Sequence, residues 1–214
     1  MIRILIADDH PVVREGLKQI ISKASDMQVS AEATDGHEVS KLATADTCDV
    51  VLLDINLPRR DGFDVLRQLR QECPKLPVLV LSVYPEDQLG VRSLRAGAAG
   101  YMNKESAPKE LISAIRKVCG GGKYVSPYLA EKLASAVSTD QHAQPHELLT
   151  DREYQVFRMI ASGMTANEIA DRLSLSVKTI RTYRDRLLQK MNLKNDVELT
   201  HYALNNNLVE STKE

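Results

Sequence analysis

Five residues with chemistry to offer stand directly after short apolar runs. Asp8 and Asp9 follow RILIA, Asp54 follows VVLL, Ser82 follows VLVL, and Lys104 follows AGYMN. Any one of them alone reads as a turn, a helix cap or a solvated charge. Together they form a set of three carboxylates, a hydroxyl and an ammonium. Carboxylates that converge repel each other unless a cation or a proton intervenes. An oxygen-only donor set suits Mg²⁺ or a similar hard ion, which keeps waters and shares its shell with phosphate oxygens. A carboxylate with one oxygen on such an ion has the other free to attack phosphorus, and carboxylates are known to form aspartyl-phosphates. The ion, Lys104 and Ser82 would then stabilise charge on the moving phosphoryl group. Asp54 is the expected acceptor.

That chemistry requires the five residues to meet, so the elements carrying them must be neighbours. Strand-like runs occur at Arg3–Ala7, Gln28–Ala33, Asp49–Leu53, Pro77–Leu81 and Ala98–Met102. Helical patterns fall between and after them, at His10–Ala24, Gly36–Ala45, Asp61–Glu72, Pro85–Leu94 and Ala107–Val118. Regular alternation of this kind predicts parallel strands joined by helical crossovers. Continuous apolar runs such as VVLL fit strands covered on both faces. In open parallel sheets, ligands bind beyond the carboxyl ends of the strands, where these five residues stand.

A different architecture follows. A short helix is expected over Pro127–Val137, then a polar linker over Ser138–Glu147, STDQHAQPHE. From Leu148 the strand signal disappears. Thr150/Glu153 and Thr165/Glu168 have capping-box spacing, and Ser176 can cap a third helix. The apolar pairs Leu149/Tyr154, Met164/Ile169 and Leu175/Ile180 straddle these caps as hydrophobic staples. Gly163 suits a left-handed helix end. A fourth helix is expected from Asp196 to about Asn206. Between Ser176 and Lys194 lie six basic residues and a single aspartate. Val177, Ile180, Leu187, Leu188 and Met191 trace an apolar face there, while Lys178, Arg181, Thr182 and Asp185 share another. A helix with one buried and one mixed basic face suits the DNA major groove. Lys178, Thr179, Arg186 and Lys190 are expected at phosphates, which position without specifying sequence. The stem of Arg184 is expected to pack while its head snorkels to water.

Composition removes several classes. Formal net charge is −1 and 43% of residues are hydrophobic, so neither strong global charge nor disorder is indicated. Cys48, Cys73 and Cys119 are widely spaced and odd in number, which argues for reduced thiols rather than disulfides or zinc. The opening MIRILIADDH reaches acid too soon for a signal peptide. No apolar run approaches the roughly 18 residues of a membrane span. A cytoplasmic protein without a membrane partner is expected.

The motifs ADDH, DINLPRRDG, LSVY and YMNK together resemble the receiver domain of two-component response regulators. LTDREYQVFRMIASGMTANEIADRLSLSVKTIRTY resembles the LuxR-type helix-turn-helix of the NarL/FixJ family. The tail is similar to the BvgA/GacA-like subgroup. The resemblance implies a doubly wound (βα)5 α/β receiver of strand order 2-1-3-4-5 over residues 1–125. It implies a short helix and linker over 126–147, and a small all-α DNA-binding domain over 148–214. It makes Asp54 the phosphoacceptor from a sensor histidine kinase. Asp8 and Asp9 become the acid pocket, with Asp9 and the Asn56 backbone carbonyl as Mg²⁺ ligands beside Asp54. Ser82 becomes the hydroxyl switch and Tyr101 its aromatic partner. Asn56 and Tyr84 would flank the path of attacking water. Arg181, Thr182 and Asp185 would face bases. Tyr183 and Asp185 depart from the His and Lys of relatives, so Asp185 either reads a cytosine amino group or pairs with a neighbouring arginine. The resemblance further implies a homodimer on activation, with the helix from Asp196 contributing to it.

Two rival classes fit less well. A phosphohydrolase of the haloacid dehalogenase type also uses a strand-end aspartate, but needs an acid two residues on, where Asn56 stands. A ligand-sensing LuxR regulator needs an aromatic-lined pocket, and the chain has no Trp and two Phe. The expected function is a transcriptional regulator, not an enzyme beyond promoting its own phosphorylation and dephosphorylation.

Overall fold

The computed structural model describes residues 1–214 apart from 46, 85, 139–143, 174, 207 and 210–214. The chain divides into two compact units, Met1–Thr139 and Asp140–Glu214.

In the first unit five strands, β1 (Ile2–Ala7), β2 (Met27–Ala33), β3 (Val50–Asp54), β4 (Val78–Ser82) and β5 (Gly100–Asn103), form one parallel sheet. Its order is β2-β1-β3-β4-β5, as the receiver resemblance implies. Helices α1 (Pro11–Ile21), α2 (Gly36–Thr44), α3 (Gly62–Glu72), α4 (Glu86–Ala96) and α5 (Ala107–Cys119) make the crossovers. Successive side chains of a strand point to opposite faces. Ile4, Ile6, Val50, Leu52, Leu79 and Leu81 therefore meet Leu17 and Ile21 of α1 and Leu111, Ile115 and Val118 of α5 in one core. Leu5, Val51, Leu53 and Val80 fill the other face, equally buried. Central strands covered twice leave no solvated side, which is why they lack alternation in the sequence.

After α5 the chain returns along β5, and Tyr124 bridges Gly100 in parallel. A Cβ at Gly100 would stand 2.6 Å from the Tyr124 carbonyl oxygen, so only glycine permits this approach. Helix α6 (Pro127–Ser138) then packs on α4, with Leu129 fully buried against Gly90.

The second unit contains α7 (Asp151–Ala161), α8 (Ala166–Leu173), α9 (Val177–Met191) and α10 (Asp196–Asn205). The predicted caps form. Thr150 and Glu153 exchange side-chain and backbone bonds at α7, as do Thr165 and Glu168 before α8. Ser176 accepts the Thr179 N–H at 3.0 Å. Gly163 has φ +86°, the left-handed end anticipated for α7. The stretch read as linker departs from expectation. Residues 139–143 lie outside the described ones, and Pro145–Leu148 forms a 3-10 turn. The reason is His146, whose ring sits 6.2 Å from Tyr154 and 5.9 Å from Tyr202, with Nδ1 2.8 Å from the Tyr202 hydroxyl. Polar composition concealed an anchored residue.

Among the described residues, no helix is long and apolar enough to cross a membrane.

Candidate functional site

Strand register brings the five residues together. Ala7 pairs with Leu53, so Asp8 and Asp54 emerge side by side at the carboxyl edge of the sheet. Asp54 pairs with Leu81, which puts Ser82 one residue beyond. Ser82 pairs with Asn103, which puts Lys104 just past the last strand. The loop after Asp54 folds back under it because α3 begins with Gly62. A Cβ there would lie 2.6 Å from the Ile55 Cα and 2.8 Å from the Asp54 carbonyl oxygen. Arg59 in the same loop holds a left-handed φ of 62° and pairs with the buried Asp35 at 3.0 Å.

At the centre, the Lys104 ammonium is 2.7 Å from Asp54 Oδ2 and 2.7 Å from Asp8 Oδ2. Asp8 and Asp54 are 2% and 3% exposed. Asp54 Oδ1 accepts the Asn56 N–H at 3.0 Å, and Asp8 Oδ1 accepts the His10 N–H at 2.8 Å. Burial pushes the Asp54 carboxyl upward, against the pull of the Lys104 charge and the Asn56 N–H. Burial alone would lower Lys104, but Asp54 first and then Asp8 overcome it and raise the ammonium. Lys104 stays ionised, because its ammonium faces two carboxylates.

Ser82 is fully buried, and its Oγ accepts the Tyr84 N–H at 3.2 Å. The Tyr101 ring is fully buried too, and its hydroxyl donates to the Tyr84 carbonyl at 2.7 Å. The peptide groups of Tyr84 are thus held on one side by Ser82 and on the other by Tyr101.

The acid pocket suits a hard divalent ion. Asp8, Asp9 and Asp54 each offer a carboxylate oxygen, and with one atom of His10 these lie within 4.8 Å of one another. Asp9 Oδ1 is buried without a hydrogen bond among the described residues. His10 Nδ1 stands 2.7 Å away but makes its hydrogen bond to Asp8 Oδ1, at 3.2 Å, so the Asp9 oxygen keeps an unsatisfied lone pair. His10 is the residue that sequence reasoning missed. Its place directly after two acids was the available signal.

On α9, Lys178, Thr179, Thr182, Tyr183 and Arg186 line one shallow groove. Lys178, Arg181, Thr182, Asp185 and Arg186 are exposed. Thr182 donates its hydroxyl to the Lys178 carbonyl, leaving its lone pairs outward. Asp185 Oδ1 lies 3.5 Å from Arg184, the neighbouring-arginine alternative. Two basic residues of α9 also make contacts within the unit. The Arg184 side chain is 34% exposed, and its Nε donates to both Asp196 oxygens, at 2.8 and 3.0 Å, tying α9 to the first turn of α10. Lys190 bonds the buried Glu153 at 2.6 Å, tying α9 to the α7 capping box. A buried carboxylate left without a partner is costly, and the Lys190 ammonium supplies one.

A doubly wound sheet with an acid pocket and lysine at its carboxyl edge, followed by a compact capped helical unit with a basic third helix, defines a receiver joined to a helix-turn-helix domain. Residues 4–116 match the response regulator receiver domain, and residues 147–203 match the bacterial regulatory proteins of the luxR family. The response regulator GacA of Pseudomonas aeruginosa is 38% identical over 212 residues, covering 99% of both chains. The response regulator UvrY of Escherichia coli is 37% identical over 209 residues, covering 97% of this chain and 96% of that one. The solved RcsB response regulator of Salmonella typhimurium superposes with a TM-score of 0.72 at 25% identity, covering 95% and 97%. The chain belongs to the two-component response regulators of the NarL/FixJ family, GacA/BvgA-like group, with a LuxR-type DNA-binding domain. Such proteins are regulators rather than enzymes, and receiver domains typically hold Mg²⁺ in an acidic pocket of this kind.

Proposed function

We propose that this response regulator is switched by phosphorylation of Asp54 from a sensor histidine kinase, and that the switch controls dimerisation and sequence-specific DNA binding. The observation that carries the reading is the Lys104 ammonium bridging Asp8 and Asp54 at 2.7 Å. A nucleophile, its counterion and an acid pocket already share one place.

The residues assign themselves roles. An Asp54 oxygen forms the new O–P bond as the P–N bond to the kinase histidine breaks. Lys104 stabilises the phosphoryl oxygens, and the transferred charge replaces the Asp54 charge it now faces. Asp8, Asp9, Asp54 and the Asn56 carbonyl would hold Mg²⁺, which when bound supplies further neutralisation of those oxygens. Ser82 is buried within reach of the same edge. When its hydroxyl turns to a phosphoryl oxygen, it releases the Tyr84 N–H, and Tyr101 reorients with the freed turn. Asn56 and Tyr84 flank the entry of water that ends the signal, so the protein promotes its own labelling and its loss without being an enzyme.

Output lies in the second unit. We read residues 1–125 as the receiver, 126–147 as connection and 148–214 as the DNA-binding domain. Arg181, Thr182 and Asp185 face bases; Lys178, Thr179, Arg186 and, once released from Glu153, Lys190 face phosphates. One such helix reads a short half-site and a dimer reads two. Helix α10 supports the dimer reading, because Val197 is 68% and Leu204 37% exposed on it. A DNA target puts the work in the cytoplasm.

The test is labelling with a small acyl-phosphate donor and Mg²⁺. Wild type should gain acid-labile phosphate and Asp54→Ala should not. Equal labelling of the two would refute the assignment.

A further inference from the structure

Asp35 is a helix cap that also holds a residue from another loop. Its Oδ1 accepts the His37 and Glu38 N–H groups at 2.8 and 3.0 Å, which serves the start of α2. Its Oδ2 accepts from Arg59 at 3.0 Å, in the loop between β3 and α3. The Asp35 side chain is 7% exposed and that of Arg59 69%. We infer that Asp35 and Arg59 are a positioning pair, which pins the tip of the loop carrying Asn56 and so sets the lifetime of the phosphate on Asp54. This rests on the reading of Asp54 as phosphoacceptor and of Asn56 beside the path of water.

The loop tip does not hold itself. The Arg60 N–H reaches the Pro58 carbonyl at 2.7 Å across Arg59, whose φ is 62°. A three-residue turn with positive φ is strained for a residue with a Cβ and persists where its surroundings restrain it. Glycine would take this φ at no steric cost. Arginine brings a guanidinium instead, and its contact is the buried Asp35. The base of the loop is held separately. The Gly62 N–H closes it on the Ile55 carbonyl at 3.1 Å, and Ile55 and Leu57 are buried. Beyond them, Arg59 on Asp35 and Arg60 on Gln68 tie the tip to α2 and α3.

The placement of the tip bears on the site through Asn56. Its N–H donates to Asp54 Oδ1 at 3.0 Å, while its side-chain amide makes no hydrogen bond among the described residues. The loop backbone alone therefore directs that amide. A loop fixed at base and tip keeps it in one place, and a loop fixed only at its base lets it swing. Hydrolysis joins a water oxygen to phosphorus as the Asp54 O–P bond breaks, returning the carboxylate and inorganic phosphate. A swinging Asn56 opens the path of that water.

The experiment labels the full-length chain with the small acyl-phosphate donor and Mg²⁺, removes the donor, and follows the loss of acid-labile phosphate beside the rate of labelling. Arg59→Gly keeps the left-handed backbone and removes the guanidinium. Asp35→Asn keeps the helix cap and removes the charge. Arg59→Lys keeps the charge. Loss should quicken at least about threefold in the first two variants, and by more than labelling changes. Their double variant should lose phosphate no faster than either alone, because both break one contact. Arg59→Lys should stay within about twofold of wild type, since an ammonium can still face Asp35. A pair that merely stabilises the fold would lower labelling and leave the loss rate of labelled molecules as it was. That outcome, slower loss, or additive quickening in the double variant overturns the inference while labelling of Asp54 upholds the phosphoacceptor. Wild type that gains no phosphate overturns the phosphoacceptor reading and this inference with it.

Discussion

The Lys104 ammonium stands 2.7 Å from Asp54 Oδ2 although fifty residues separate them in the chain. Both side chains are nearly buried, at 12% and 3% exposure, and Asp8 shares the same ammonium. Removing one member of a buried pair strands the others and costs about 3–5 kcal/mol. Lys104→Met should therefore be strongly destabilising in denaturant unfolding of the receiver. Adding Asp54→Asn should restore part of the loss, because it removes one stranded charge. Strictly additive losses in the double-mutant cycle would show that the pair is not energetically coupled.

The DNA-facing helix should divide into two kinds of residue. Lys178→Ala should weaken binding across all sequences and reduce the salt slope by about one unit. Arg181→Ala should change which bases are preferred, in a selection over an operator library. Identical behaviour of the two variants would dissolve the division.

Glu153 gives the second unit an acid limit. Burial would raise its carboxyl, but the Lys190 bond and the Thr150 N–H outweigh burial and hold it below the ordinary glutamate range. A lowered folded value means the stabilisation is complete above the unfolded value, about 4.3, and fades as pH falls through the folded one. Glu153→Gln keeps the shape and loses the charge. Its deficit in thermal stability against wild type should be constant near neutrality and shrink below about pH 4.3. A deficit that grows on acidification has the wrong sign for this account.

Helix α4 carries an internal cost. Ser93 is fully buried and its Oγ has no hydrogen-bond partner among the described residues. Such a hydroxyl costs about 1–3 kcal/mol relative to a satisfied one. Ser93→Ala should raise the receiver's stability by about 1 kcal/mol. A measured loss in urea unfolding would mean the hydroxyl is bonded after all.

The thiols differ in access. Cys48, Cys73 and Cys119 line one cleft with Asp49 and Lys75, far apart though they are in the chain. Cys48 is 5% exposed, and burial pushes its thiol up to about 11. Alkylation of the native protein near neutral pH, read by mass spectrometry, should therefore reach Cys73 before Cys48, with Cys48 reacting only on unfolding. Early modification of Cys48 would contradict its burial.

Much of this was legible in local signals. Parallel strands announced themselves because double burial forbids alternation, and helix starts because a cap needs its serine, threonine or acid within three residues. Asp54, Ser82 and Lys104 stood out because each breaks an apolar run at its end. Those are short-range rules, and a linear string carries them. The sequence by itself therefore determined the elements, the division into a sheet unit and a helical unit, and the candidate chemical groups.

Only the tertiary structure decided which groups face one another. Register put Lys104 between two carboxylates, and the return of the chain past β5 laid α6 on α4. His10 turned toward Asp9, His146 docked between two tyrosines, Arg184 closed on Asp196 and Lys190 on Glu153. Each is a choice of partner by a long or freely rotating side chain. Composition and periodicity set which face of an element such a residue leaves from. The nearest opposite charge or open lone pair, known only once the elements are packed, sets where it ends.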